Sequence, residues 1–81
     1  MRTIRRGDGY KATLQARPAV KAAQIMTAHH GYADLRTIDR TCAADGIFGP
    51  GTESAIRRFQ KSVGLSSSGI VDRDTWAALE S

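Results

Sequence analysis

Two adjacent histidines, one cysteine and eight carboxylates are the groups in this 81-residue sequence from which metal or covalent chemistry would be built. Neighbouring side chains on a helix point about 100° apart, so His29 and His30 cannot easily share one metal ion, whereas histidines four apart can. No cysteine or carboxylate stands at zinc-ligand spacing from that pair. Cys42 is the single cysteine, so it has no partner for an intrachain disulfide; it reads as a small loop residue or a free thiol, and indicates no redox compartment. No hydroxyl or thiol has a visible base beside it, and no two carboxylates fall in a pattern for glycoside hydrolysis. The sequence therefore predicts no catalytic residues, no metal site and no cofactor.

A chain of this length makes one domain, with a core too small to be robust without added support. Its net charge is +4, and the charge is uneven. Residues 1–21 contain six basic side chains (Arg2, Arg5, Arg6, Lys11, Arg17, Lys21) and one acidic, Asp8; the remaining residues contain six basic and seven acidic. The basicity belongs to an arm, expected over residues 1–17, ahead of a domain over residues 18–81. A basic arm favours nucleic acid, anionic wall polymers or an acidic protein. Without a recognised nucleic-acid motif, and with Tyr10 as its lone aromatic, it argues against nucleic acid as the main partner. No apolar run approaches a membrane span, and Met1-Arg-Thr-Ile-Arg-Arg6 leads into Gly7 and Asp8 rather than an apolar signal core.

Three helices are predicted. Pro18 suits the first position of a helix over residues 18–30, which is rich in alanine and stopped by Gly31. Its apolar stripe (Val20, Ala23, Thr27) is thin. In residues 53–63 Ala55, Ile56, Phe59 and Val63 recur at helical spacing, Glu53 stands four before Arg57, and Gly64 ends the helix with Leu65 free to fold back. Asp72 is the expected N-cap of a short helix running through Glu80, with Trp76 and Leu79 facing inward. Residues 10–17 read as a strand-like piece or one helical turn, and residues 32–44 as a long loop folding back over the first helix, with a short helix possible over residues 33–38. In that arrangement His30 packs against Leu35 or Ile38.

Sliding the sequence by 23 residues aligns Gly46-Ile47-Phe48-Gly49-Pro50-Gly51-Thr52 with Gly69-Ile70-Val71-Asp72-Arg73-Asp74-Thr75, and Ala55-Ile56 with Ala78-Leu79. If Asp72 caps its helix, Gly49 must cap the earlier one, which puts Pro50 where its missing N–H is harmless. The two extended segments could lie side by side as a minimal ladder. The resulting fold class is all-α: a small three-helix bundle with two pseudo-repeated extended-turn-into-helix units.

Asp45-Gly-Ile-Phe-Gly-Pro-Gly-Thr-Glu-Ser-Ala-Ile-Arg-Arg-Phe-Gln60 resembles the central motif of the peptidoglycan-binding domain family, the wall-targeting module of cell-wall hydrolases and phage endolysins. Gly64-Leu65, Gly69-Ile70-Val71 and Thr75-Trp76-Ala-Ala-Leu79 match its second half. More loosely, residues 4–8 are similar to its opening turn, and residues 20–24 with Gly31-Tyr32 to its first helix and stop. The departures are an apparent insertion over residues 10–17, a longer linker over residues 33–44, and Ala23, Thr27 and His30 in place of leucines.

This resemblance implies a shallow groove beside the loop of residues 45–52, between the first two helices. Tyr32, Asp45, Phe48, Thr52, Arg57 and Arg58 are the candidate ligand contacts. Each also has a purely structural reading: Phe48 as core, Asp45 as a turn former, Thr52 as a partner of the helix's first turn, and Arg57 and Arg58 as a solvated face. The implied function is non-catalytic attachment to the glycan and stem peptides of peptidoglycan, with a hydrolase or virion proteins as companions and no membrane. With no signal peptide, the bacterial cell wall or a phage particle would be reached by fusion, assembly or lysis. The rival expectation is a structural or protein-interaction module, such as a virion decoration or assembly protein, that reuses the fold without binding wall.

Overall fold

The computed structural model describes residues 3–31 and 46–81. It is an all-α three-helix bundle. A 3-10 helix (Lys11–Ala16) runs directly into α1 (Arg17–His29); α2 spans Pro50–Ser62 and α3 spans Arg73–Glu80. The alternatives for residues 10–17 resolve as a helical piece, broken at Thr13 by a non-helical backbone (φ −133°, ψ 43°). The long loop expected over residues 32–44, its alternative of a short helix over residues 33–38, and the contacts of Leu35 and Ile38 lie outside the described residues.

The first helix packs against both others and against the 3-10 helix. Its thin stripe explains how. Val20, Ala23, Gln24 and Thr27 are its buried residues, and small side chains let two neighbours approach one helix. The bulk comes from elsewhere: Phe48, Ile56, Phe59, Val71, Trp76 and Leu79 join Ile4, Ala16, Val20 and Ala23 in one core. Each fully buried large apolar side chain contributes roughly 2 kcal/mol.

Pro18 falls at the second residue of α1 rather than the first; the other helix ends follow the predicted chemistry. Gly31, at φ +83°, stops α1, its N–H donating to the Ala28 carbonyl (2.9 Å). Beyond α2, Leu65 N–H donates to the Gln60 carbonyl (2.9 Å) and Gly64 N–H to that of Lys61 (3.3 Å). These two bonds make a Schellman stop, which requires the left-handed backbone that Gly64 supplies at φ +81°. At the start of α3, the Asp72 carboxylate accepts the Thr75 N–H (3.1 Å).

The expected ladder between the two repeated segments is replaced by pairing of each with the N-terminal residues. Ile4 and Val71 exchange both backbone hydrogen bonds (3.1 and 2.8 Å), while Gly7 N–H donates to the Phe48 carbonyl and Phe48 N–H to that of Asp8 (both 2.9 Å). Ile4 is fully buried. Residues 4–8 thus tie the two helix starts together.

Candidate functional site

The loop that the sequence singles out, residues 46–52, is held by a side chain that carries no obvious motif. Gln24, buried on α1, accepts the Gly46 N–H at Oε1 (3.0 Å) and donates from Nε2 to the Ile47 carbonyl (3.0 Å) and to Thr52 Oγ1 (2.9 Å). Both amide hydrogens and the amide oxygen are engaged, which fixes the orientation of the group. One glutamine therefore fixes both ends of the loop.

The second repeat has the same device. Gln60 accepts the Gly69 N–H (2.9 Å) and donates to the Ile70 carbonyl (2.9 Å) and Thr75 Oγ1 (3.0 Å). The equivalence extends to the backbone: Gly46 and Gly69 have φ of +80° and +79°. The N-caps Gly49 and Asp72 have φ, ψ of −97°, −170° and −96°, −171°. The duplicated unit is thus a helix glutamine, a left-handed glycine, an extended pair, a cap and a buried threonine.

Outside the loop, the turn of residues 7–9 seals it. A Cβ on Gly9 would stand 1.9 Å from the Gly46 carbonyl oxygen, so no other residue fits there. Arg17 closes the same corner, its Nε donating to the Gly9 carbonyl (2.7 Å) while its side chain covers Gly46.

Against this geometry the six candidate contacts divide. Phe48 and Thr52 lie inside the protein, at 0% and 1% exposure; Phe48 belongs to the core and Thr52 to the Gln24 clamp. Both side chains shape the loop from within and offer no exposed surface. Arg57 and Arg58 are exposed on α2. Arg57 Nε stands 4.0 Å from Glu53 Oε1, and the stem of Arg57 covers Gly69. Tyr32 and Asp45 lie outside the described residues. The part of the loop that meets solvent is Ile47, Pro50 and Gly51, partly or fully exposed.

His30 is used structurally. Its Nε2 lies 3.0 Å from the Leu79 carbonyl, which can only accept, so that nitrogen carries the proton. The ring packs on Phe59 at 5.0 Å between centroids. It ties α1 to α2 and α3; the expected contact with Leu35 or Ile38 lies outside the described residues. Beside it, Met26, His29, His30, Leu79, Glu80 and Ser81 line a groove of about 430 Å³.

The family model for a putative peptidoglycan binding domain matches residues 16–79. The chain belongs to that family. A crystal structure of a peptidoglycan-binding protein from Clostridioides difficile, in complex with glutamine hydroxamate, superposes with a TM-score of 0.73 at 36% identity, covering 96% of this chain and 40% of that one. An uncharacterized protein from the bpoA1 3' region of Kitasatospora aureofaciens is 50% identical over 36 residues, 44% of this chain and 30% of its own length. This domain therefore spans well under half of either protein. Among the described residues, no helix is long and apolar enough to cross a membrane.

Proposed function

We infer that this domain attaches non-covalently and without catalysis to the glycan and stem peptides of peptidoglycan, holding a partner or particle at the bacterial wall. The observation that carries this reading is the match of residues 16–79 to the family, centred on a loop that Gln24 makes rigid. A rigid loop loses little conformational entropy on binding, which suits a shallow site for a repetitive polymer. In this reading Tyr32, Asp45, Arg57 and Arg58 meet the ligand, together with the outer edge of residues 47–51, while Phe48 and Thr52 keep the loop in shape. Single contacts of this kind are weak, so retention on a wall depends on several domains or copies engaging at once. The companion is a hydrolase or a set of phage virion proteins.

Titrating soluble disaccharide-peptide wall fragments into isotopically labelled protein tests the site. Amide shifts should cluster at residues 45–52 and along the exposed face of α2. Shifts confined elsewhere, or none at millimolar fragment, would remove this site. The second reading, a virion or interaction module that has lost wall binding, is favoured by one observation: Tyr10, the residue before the 3-10 helix, and Leu14 within it are 45% and 48% exposed. An apolar pair of that kind suits a protein neighbour, and the same titration would then be silent.

A further inference from the structure

The charge asymmetry of the sequence becomes a surface in the fold. Arg5, Arg6, Lys11, Arg17 and Lys21 are all exposed. The turn of residues 7–9 gathers them. Gly9 N–H donates to Thr13 Oγ1 (3.1 Å) and Arg17 Nε to the Gly9 carbonyl (2.7 Å), which folds the 3-10 helix and the start of α1 back against the turn. Arg5 and Arg6 enter that turn, Lys11 leaves it, and Lys21 lies one helical turn beyond Arg17. The single acid in this stretch, Asp8, has its Oδ2 bound to the Arg5 N–H (3.0 Å). Glu53, on α2, stands 3.8 Å from Arg6 and is shared with Arg57 at 4.0 Å. By contrast, residues 46–81 carry four basic side chains (Arg57, Arg58, Lys61, Arg73) and four acidic (Glu53, Asp72, Asp74, Glu80).

This arrangement is unfavourable to the isolated fold. The first turn of α1 has no acidic residue and no side-chain cap, and Arg17 stands at the positive end of the helix dipole, where a cation is disfavoured. Concentrated like charge also repels itself, and a bound polyanion reverses both effects. Among the described residues the exposed aromatic surface is Tyr10, one side chain, whereas sequence-tolerant binding of bases needs several stacking faces. A polymer of phosphates joined by flexible polyols needs none.

We propose that this face, Arg5, Arg6, Lys11, Arg17 and Lys21, docks a phosphodiester-linked anionic polymer of the bacterial wall. It gives the domain a second, electrostatic contact beside the loop of residues 45–52. The inference rests on the wall-attachment reading for its setting, but uses different residues and a different component of the wall.

The test compares two preparations of Gram-positive walls, one retaining poly(glycerol phosphate) and one chemically stripped of it, with duplex DNA and polyglutamate as competing polyanions. The variant carries Arg5→Gln, Lys11→Gln and Lys21→Gln, which spares Arg17 and Arg6 and their contacts; thermal melting checks that it folds. The unsubstituted protein should bind the retaining walls about tenfold tighter than the stripped ones at low salt, and the variant should lose that difference. Counterion release contributes a slope of roughly −0.7 per neutralised phosphate on a flexible strand, so three lost cations should flatten log K against log salt by about 2. Equal affinity for the two walls would overturn the proposal, as would a variant that keeps the difference. Tighter binding to DNA or polyglutamate than to retaining walls would overturn it in favour of those partners. Binding to retaining walls alone would support this face while removing the peptidoglycan loop as a site, and binding to neither would remove both.

Discussion

At the scale of single residues, two buried glutamines and one glycine organise the loops. Replacing Gln60 by leucine strands the Gly69 N–H and removes the donors used by Ile70 and Thr75. An abandoned buried polar group costs about 1–3 kcal/mol. We expect Gln60→Leu and Gln24→Leu each to lower unfolding free energy by about 3 kcal/mol in urea titrations, and by similar amounts, because each holds a glycine N–H, an isoleucine carbonyl and a threonine hydroxyl. A clear inequality between them would argue against the clamps as equivalent units. Gly9→Ala should fail to fold or lose at least about 3 kcal/mol, since its methyl would collide with the Gly46 carbonyl. Gly7→Ala, at φ +102° with open space around it, should cost only the left-handed backbone penalty of about 1–2 kcal/mol. The two melting curves distinguish collision from strain.

At the scale of elements, the units of helix, turn and cap were largely readable in the sequence. Their glycines, Pro50, Asp72 and the paired threonines have effects that act within a few residues, so a short window contains both cause and consequence. The glutamine clamps were not readable in the same way. Gln24 precedes Ile47 by 23 residues and Gln60 precedes Ile70 by ten, so the offset that aligns the turns misaligns their clamps. A search for a helical glutamine ahead of each Gly-Ile pair, with loop length left free, would have found them. The role of residues 4–8 was hidden for another reason: one bridge and one pair of turn bonds impose no alternation of apolar and polar residues. Ile4 looked like part of an arm, yet it lies in the core against Val71. Ile4→Ala should therefore cost about 2–4 kcal/mol, as core truncations do, and this would appear as a lower urea midpoint with an unchanged slope. Asp72→Ala, which removes only the cap of α3, should cost about 1 kcal/mol. If Ile4→Ala cost no more than Asp72→Ala, residues 4–8 would be an appendage after all.

At the scale of the whole molecule, α1 is the shared element. It supplies the clamp for the loop of residues 46–52, packs on both other helices, and begins at the basic corner formed with the turn of residues 7–9. Its small side chains, which leave a weak apolar pattern in the sequence, are what allow those neighbours to close on it. The candidate ligand contacts were only partly separable in the sequence, because Phe48 and Thr52 have residue types that serve a core or a carbohydrate surface equally well. Burial decides where they sit, and burial depends on Gln24 and Ile4, far away in the chain. The central claim, that this fold holds a wall-binding loop, is tested most directly by sedimenting the purified protein with sacculi stripped of anionic polymers, at low and at physiological salt. The account predicts saturable pelleting above a control protein at both salts; pelleting no greater than the control at either salt would contradict it.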